Sequence, residues 1–104
     1  MSLSSWKSAE RRAAAIIGGR RVWQKFSAGD AESAAFVADA KRRRAYSQRQ
    51  MRADLDKLQA SPETGTRTAV LILFDIPGRG RRSGAPLVVM TAEAFQAWHG
   101  TDAR

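Results

Sequence analysis

A chain of 104 residues with 18 lysines and arginines against 10 acids carries a net charge of +8 and has room for one domain with one modest core. A domain this basic meets polyanions, because neutralising phosphates gives affinity for DNA or RNA whatever their sequence. The lack of cysteine excludes a disulfide framework and any Cys-ligated zinc or redox site. No apolar run approaches the ~20 residues of a membrane span and no apolar signal segment opens the chain, so the expected compartment is the cytoplasm, with no membrane partner.

Ser5 to Ile17 predicts a helix, with Trp6, Ala9, Ala13, Ile16 and Ile17 as its apolar stripe and Gly18-Gly19 as its stop. Arg20 to Phe26 reads as a short extended segment anchored by Val22, Trp23 and Phe26, and Ser27-Ala28-Gly29-Asp30 as a turn. Ala34 to Lys41 predicts a strand. Ser47 with Gln50 three residues on is a capping-box pattern. It opens a second helix with Met51, Leu55 and Leu58 on one face, closed by Ser61-Pro62-Glu63-Thr64-Gly65. Thr68 to Phe74 is a continuous apolar run, partly β-branched, as in a strand covered on both faces. Ile76 to Gly84 is a basic loop and Leu87 to Met90 a second buried strand. Thr91 then caps a last short helix expected to turn Phe95 and Trp98 inward. The order is α-β-β-β-α-β-β-α, an α/β fold with a mixed sheet flanked by helices, in one domain over residues 1–104.

The first half holds the acids that need explaining. Asp39 and Lys41 sit two apart on a predicted strand, so their side chains share a face. Asp30 lies nine residues before Asp39 across a short connection, and hairpin geometry can bring the two carboxylates together. Glu10 stands beside the buried stripe of the first helix, where an acid is costly without a partner, and a metal is one such partner. Lys41-Arg42-Arg43-Arg44 follows at once. Arg20-Arg21, with Arg79, Arg81 and Arg82 of the Gly-rich loop, extends a basic surface suited to phosphates. Gly78-Arg79-Gly80 is not itself a phosphate loop, since it lacks the following Lys-Ser/Thr and opens no helix. The same residues also admit a plainer arrangement: Asp39 and Lys41 as an ion pair, Asp30 as a turn residue, Glu10 as a partner of Arg11 or Arg12, and the arginine run solvated.

In this order (helix acid, turn acid, strand Asp-x-Lys, helix) the chain resembles the PD-(D/E)XK nuclease superfamily, and most of all small Holliday-junction-resolvase-type nucleases of phages and plasmids. The resemblance runs from about Trp6 to Gly100. It rests on Trp6-Lys7-x-x-Glu10, Gly18-Gly19-Arg20, Gly29-Asp30, Phe36-Val37-Ala38-Asp39-Ala40-Lys41 and Pro86-Leu87-Val88-Val89-Met90 with Phe95. Gly29 stands where the superfamily name has Pro, and Asp39 where Glu is more usual. What the resemblance implies is a restriction-endonuclease-like core with metal-binding acids at Asp30 and Asp39, Glu10 as the helix-one acid, Lys41 as catalytic lysine and Gln48 as a polar residue of the site. Such a set suits Mg²⁺ (or Mn²⁺), a hard cation that takes oxygen ligands, and the Ala40 carbonyl would complete the coordination. The implied function is metal-dependent endonuclease action on branched or duplex DNA. A homodimer is expected, because resolving a four-way junction takes two cuts and one site per chain supplies them as a two-fold pair. Trp6, Phe95 and Trp98 are interface material. A generic nicking or repair nuclease, a catalytically silent nucleic-acid-binding module on the same fold, and a basic accessory protein of a phage particle or ribosome are the alternatives.

Overall fold

In the computed structural model, which describes residues 6–22, 29–76 and 84–99, helix α1 spans Trp6–Ile16. Ala9, Ala13 and Ala14 are buried on its inner face and Ile17 packs behind them. Ile16, expected on the stripe, is 41% exposed. It is the last residue of α1 and is not among the side chains packed on the core, whereas the small alanines before it let that face approach the sheet closely. The stop is a Schellman turn. Gly18 adopts φ +71°, the Gly19 amide donates to the Ala14 carbonyl and the Gly18 amide to that of Ala15. A side chain on Gly19 would strike the Glu32 carbonyl, 1.8 Å from where its Cβ would stand.

Among the described residues the sheet has five strands in the order β1-β2-β3-β4-β5: β1 (Arg20–Arg21), β2 (Ala31–Glu32), β3 (Phe36–Arg42), β4 (Thr68–Phe74) and β5 (Leu87–Val89). β1, β2 and β3 are antiparallel neighbours, β4 runs parallel to β3, and β5 returns antiparallel to β4. A parallel pair needs a crossover, and helix α2 (Gln48–Ala60) provides it. The expected order therefore holds, an α/β fold built on a mixed open sheet. Its third early strand, for which the sequence offers no apolar run, is the two-residue β2. Of the expected extended segment Arg20–Phe26, residues 23–26 lie outside the described residues.

α2 starts at its expected cap: the Ser47 hydroxyl accepts the Gln50 amide at 3.0 Å. The Gln50 side chain does not close the box back on Ser47 but turns forward to Asp54. The sheet separates two apolar layers. Ala38, Ala40, Val70, Ile72 and Phe74 face α1, while Val37, Ala69 and Leu71 face Leu55 and Leu58 of α2. β4, central and covered on both sides, matches its continuous apolar run.

Two expectations fail at the other edge. β5 is not buried: Leu87 is 61% and Val88 49% exposed. An apolar run marks a buried strand only where layers cover it, and α1 lies over β1, β2 and β3 while α2 lies over β4. Helix α3 (Ala92–His99) is capped by Thr91 as expected, its hydroxyl accepting the Ala94 amide at 3.0 Å. Phe95 and Trp98, however, are 57% and 45% exposed and not inward. Trp98 stacks at the sheet margin on Phe36, 5.1 Å between ring centres, and donates its indole N–H to the Thr68 hydroxyl. The side chain of Trp6 lies outside the described residues.

Candidate active site

The position of Asp30 follows from the shortness of β2. Its carbonyl accepts the Val22 amide at 3.0 Å and its amide donates to the Ala38 carbonyl at 2.9 Å. Ala31 is already the register partner of Ala38, so two residues face one, the count of a β-bulge, a feature that re-aims a side chain. The aim here is inward along β3, where an Asp30 carboxylate oxygen accepts the Ala40 amide at 2.9 Å. Gly29 permits the approach, because a Cβ there would lie 2.6 Å from the Ala38 carbonyl oxygen.

Asp39 and Lys41 project from one side of β3, as their spacing requires, with the Lys41 ammonium 3.0 Å from the Asp39 carboxylate. Burial raises the Asp30 carboxyl from an ordinary 3.8 to about 7, helped by a hydrogen bond to Asp39 that only the protonated acid can donate and by the negative charges of Asp39 and Glu10. The Ala40 amide opposes the shift. Glu10 reaches the same place from α1 but has a partner of its own, Arg21, at 2.9 Å. That partner is neither Arg11 nor Arg12, which are exposed. Glu10, Asp30, Asp39, Ala40, Lys41, Arg42 and Arg43 together line a recess of about 450 Å³.

The structure thus gathers Glu10, Asp30, Asp39, Ala40 and Lys41, with Arg21, Arg42 and Arg43 beside them. The other candidates lie elsewhere. Gln48 opens α2 but lines a separate groove with Met51, Leu55 and Val89. Arg20 is exposed and pairs with Glu32. Arg44 is exposed, and Arg79, Arg81 and Arg82 lie outside the described residues.

Two residues that the sequence pattern did not single out, Asp54 and Tyr46, join the group. Asp54, on α2, stands 4.0 Å from the Lys41 ammonium and 3.8 Å from the Arg43 guanidinium. It accepts the Tyr46 hydroxyl and, at 3.0 Å, the Gln50 amide group. These donors hold its carboxyl below the usual range, the Tyr46 bond foremost, while burial and Asp54 push the Tyr46 hydroxyl well above its own. The signal was present in the sequence: Asp54 borders the Met51-Leu55-Leu58 stripe just as Glu10 borders that of α1.

Among the described residues no three His, Cys, Asp or Glu side chains gather closely enough to enclose a metal by themselves. The oxygen donors on hand are the Asp30 and Asp39 carboxylates and the Ala40 carbonyl, a partial set of the kind Mg²⁺ accepts, since it keeps several waters. No helix among the described residues is long and apolar enough to cross a membrane. Compared with known protein families, with curated proteins and with solved structures, the chain matches none.

Proposed function

We propose that the protein is a Mg²⁺- or Mn²⁺-dependent endonuclease with a restriction-endonuclease-like core, cutting phosphodiester bonds of DNA and above all of branched DNA. One observation carries this reading: Asp30, which accepts the Ala40 amide at 2.9 Å, and Asp39, 3.0 Å from the Lys41 ammonium, line one open recess. Two acids in contact repel once both are ionised, and a divalent cation between them relieves that repulsion. Asp30, Asp39 and the Ala40 carbonyl would hold it, with Glu10 in the recess wall. Bound there, the cation would supply an acidified water and neutralise charge growing on the scissile phosphate. The chain's own part is positional. Asp30 is fixed through its backbone on both sides, Lys41 presents a compact ammonium to the attacking water or to the oxygen gaining charge, and Arg42 and Arg43 would take flanking phosphate oxygens.

Labelled duplex, single-stranded and four-way DNA incubated with Mg²⁺ or Mn²⁺ test the proposal. Cleavage is expected, lost on chelation and in Asp30→Asn and Asp39→Asn; substrates left intact by the wild type under every condition would sink it. A catalytically silent nucleic-acid-binding module is favoured by one observation, that Glu10 and Asp39 each already have an ionic partner. Binding without cutting in the same assay is its signature.

A homodimer working in the cytoplasm belongs to the same proposal. Exposed Leu87, Val88, Phe95 and Trp98 support it as apolar surface beyond what α1 and α2 cover. Sedimentation at micromolar concentration should give twice the chain mass of 11.4 kDa. A monomer even with four-way DNA present would argue for simple nicking instead.

A further inference from the structure

Asp54 serves two cations at once. Lys41 and Arg43 leave β3 and the chain just beyond it, yet both come within 4.0 Å of this one carboxylate on the crossover helix. The carboxylate is itself held from two directions, by the Tyr46 hydroxyl and by Gln50 one helical turn earlier. Arg43 is gripped a second time, with its guanidinium carbon 4.7 Å from the centre of the Tyr46 ring. Its side chain remains 42% exposed, so other guanidinium N–H groups still reach solvent.

We infer that Asp54 is the positioning residue of this site: a carboxylate locked by Tyr46 and Gln50 that holds the Lys41 ammonium and the Arg43 guanidinium at the recess. The inference rests on the nuclease reading above, which gives Lys41 and Arg43 a phosphate to meet. Lysine and arginine side chains lose rotamer freedom when ordered, and a partner that orders them beforehand removes that cost from the reacting complex. Asp39 cannot do this alone, because it is also a proposed cation ligand. Asp54 lies outside the proposed donor set, so it holds Lys41 in either state. The arginine run is thereby divided. Arg43 is preset, whereas exposed Arg44 has no such clamp among the described residues.

Asp54→Asn keeps the shape and an acceptor for Tyr46 but removes the charge. In metal-free protein the ¹⁵N heteronuclear NOE of the Arg43 Nε–H should be high in the wild type and fall to the level of Arg44 in this variant. Tyr46→Phe, which leaves the charge but loosens its lock, should fall between. In cleavage assays Asp54→Asn should lower kcat by about 10- to 100-fold, the usual cost of losing a group that orients another, with KM nearly unchanged. Equal NOEs for Arg43 and Arg44 in the wild type, or an Arg43 signal unmoved by the substitution, would overturn the inference. So would a loss of kcat that merely follows a lower folded fraction in thermal unfolding. If the wild type cuts no DNA with either metal, the nuclease reading fails, while the NOE comparison still decides whether Asp54 positions Arg43.

Discussion

Asp30 and Glu32 lie two residues apart on one short stretch of chain and meet opposite electrostatic fates. Glu32 accepts from Arg20 at 3.0 and 3.2 Å and from Arg67 at 3.1 Å, and these guanidinium partners hold its carboxyl below the usual range. Arg67 in turn donates to the Ser33 and Thr64 carbonyls, tying the hairpin to the loop before β4. Asp30 faces Asp39 and Glu10, with one backbone amide in its favour, and its carboxyl is raised to about 7. Acids surrounded by arginines stabilise a fold. Acids set against acids cost it stability, and a site that keeps such a pair is poised for a positive ligand.

The largest expected effect breaks the comparison at Asp30. If the recess binds DNA as proposed, Asp30→Asn and Asp39→Asn should abolish metal-dependent cleavage while DNA binding persists or strengthens, since negative charge is removed from beside the phosphate. Glu32→Gln should leave the rate of cutting intact and cost the fold about 1 kcal/mol, a typical value for exposed ion pairs. Gel-based cleavage and denaturant titration of the three variants are the measurements, and equal activity in all three would remove the distinction.

Next comes Lys41→Ala, expected to lower turnover by about 10²–10³-fold, as for the loss of one transition-state stabilising group. Affinity should drop only by the share of a single phosphate interaction. Parallel losses in binding and turnover would make Lys41 a mere anchor.

Stability against pH sharpens the contrast, because the two acids act in opposite directions. A carboxyl raised from 3.8 to about 7 contributes stability fully present below pH 3.8 and lost as pH rises through 7. Glu32, held below its ordinary 4.5, contributes above that value and loses the contribution as pH falls. Without divalent cations, Asp30→Asn should therefore unfold at a higher temperature than the wild type at pH 8.5 and show little difference at pH 4. Millimolar Mg²⁺ should raise the wild-type midpoint at pH 8.5 and leave that of Asp30→Asn unmoved. Identical Mg²⁺ responses would mean that the cation binds elsewhere.

The smallest effect concerns the arginines. Converting Arg42, Arg43 and Arg44 to Gln should weaken binding to all DNA sequences alike and flatten its salt dependence, by roughly 0.9 in log–log slope for each phosphate no longer neutralised. Arg20→Gln, which removes a partner of Glu32, should leave that slope unchanged. A slope untouched by the triple change would place the run away from nucleic acid.

Most of the element order was legible because its signals are local. Gly18 supplies the positive φ that ends α1, Ser47 caps α2, and the unbroken apolar run from Ala69 to Phe74 marks β4 as covered on both faces. The Asp39–Lys41 pair was legible too, since two-residue spacing on a strand fixes a common face. Gln48 enters the expected site only through the family resemblance, and the crossover helix carries it to another groove while Asp54 faces Lys41.

By itself, then, the sequence determined where the helices and the longer strands lie and that Asp39 and Lys41 share a face, because caps, glycine conformations and periodicity act within a few residues. Only the tertiary structure decided which charges meet. Glu10 found Arg21 rather than its helix neighbours, Asp30 turned through a bulge onto the Ala40 amide, and Leu87 and Val88 stayed exposed because α1 and α2 pack mainly on the other four strands. Those outcomes depend on the packing of elements far apart in the chain, and no local pattern encodes the distance between them.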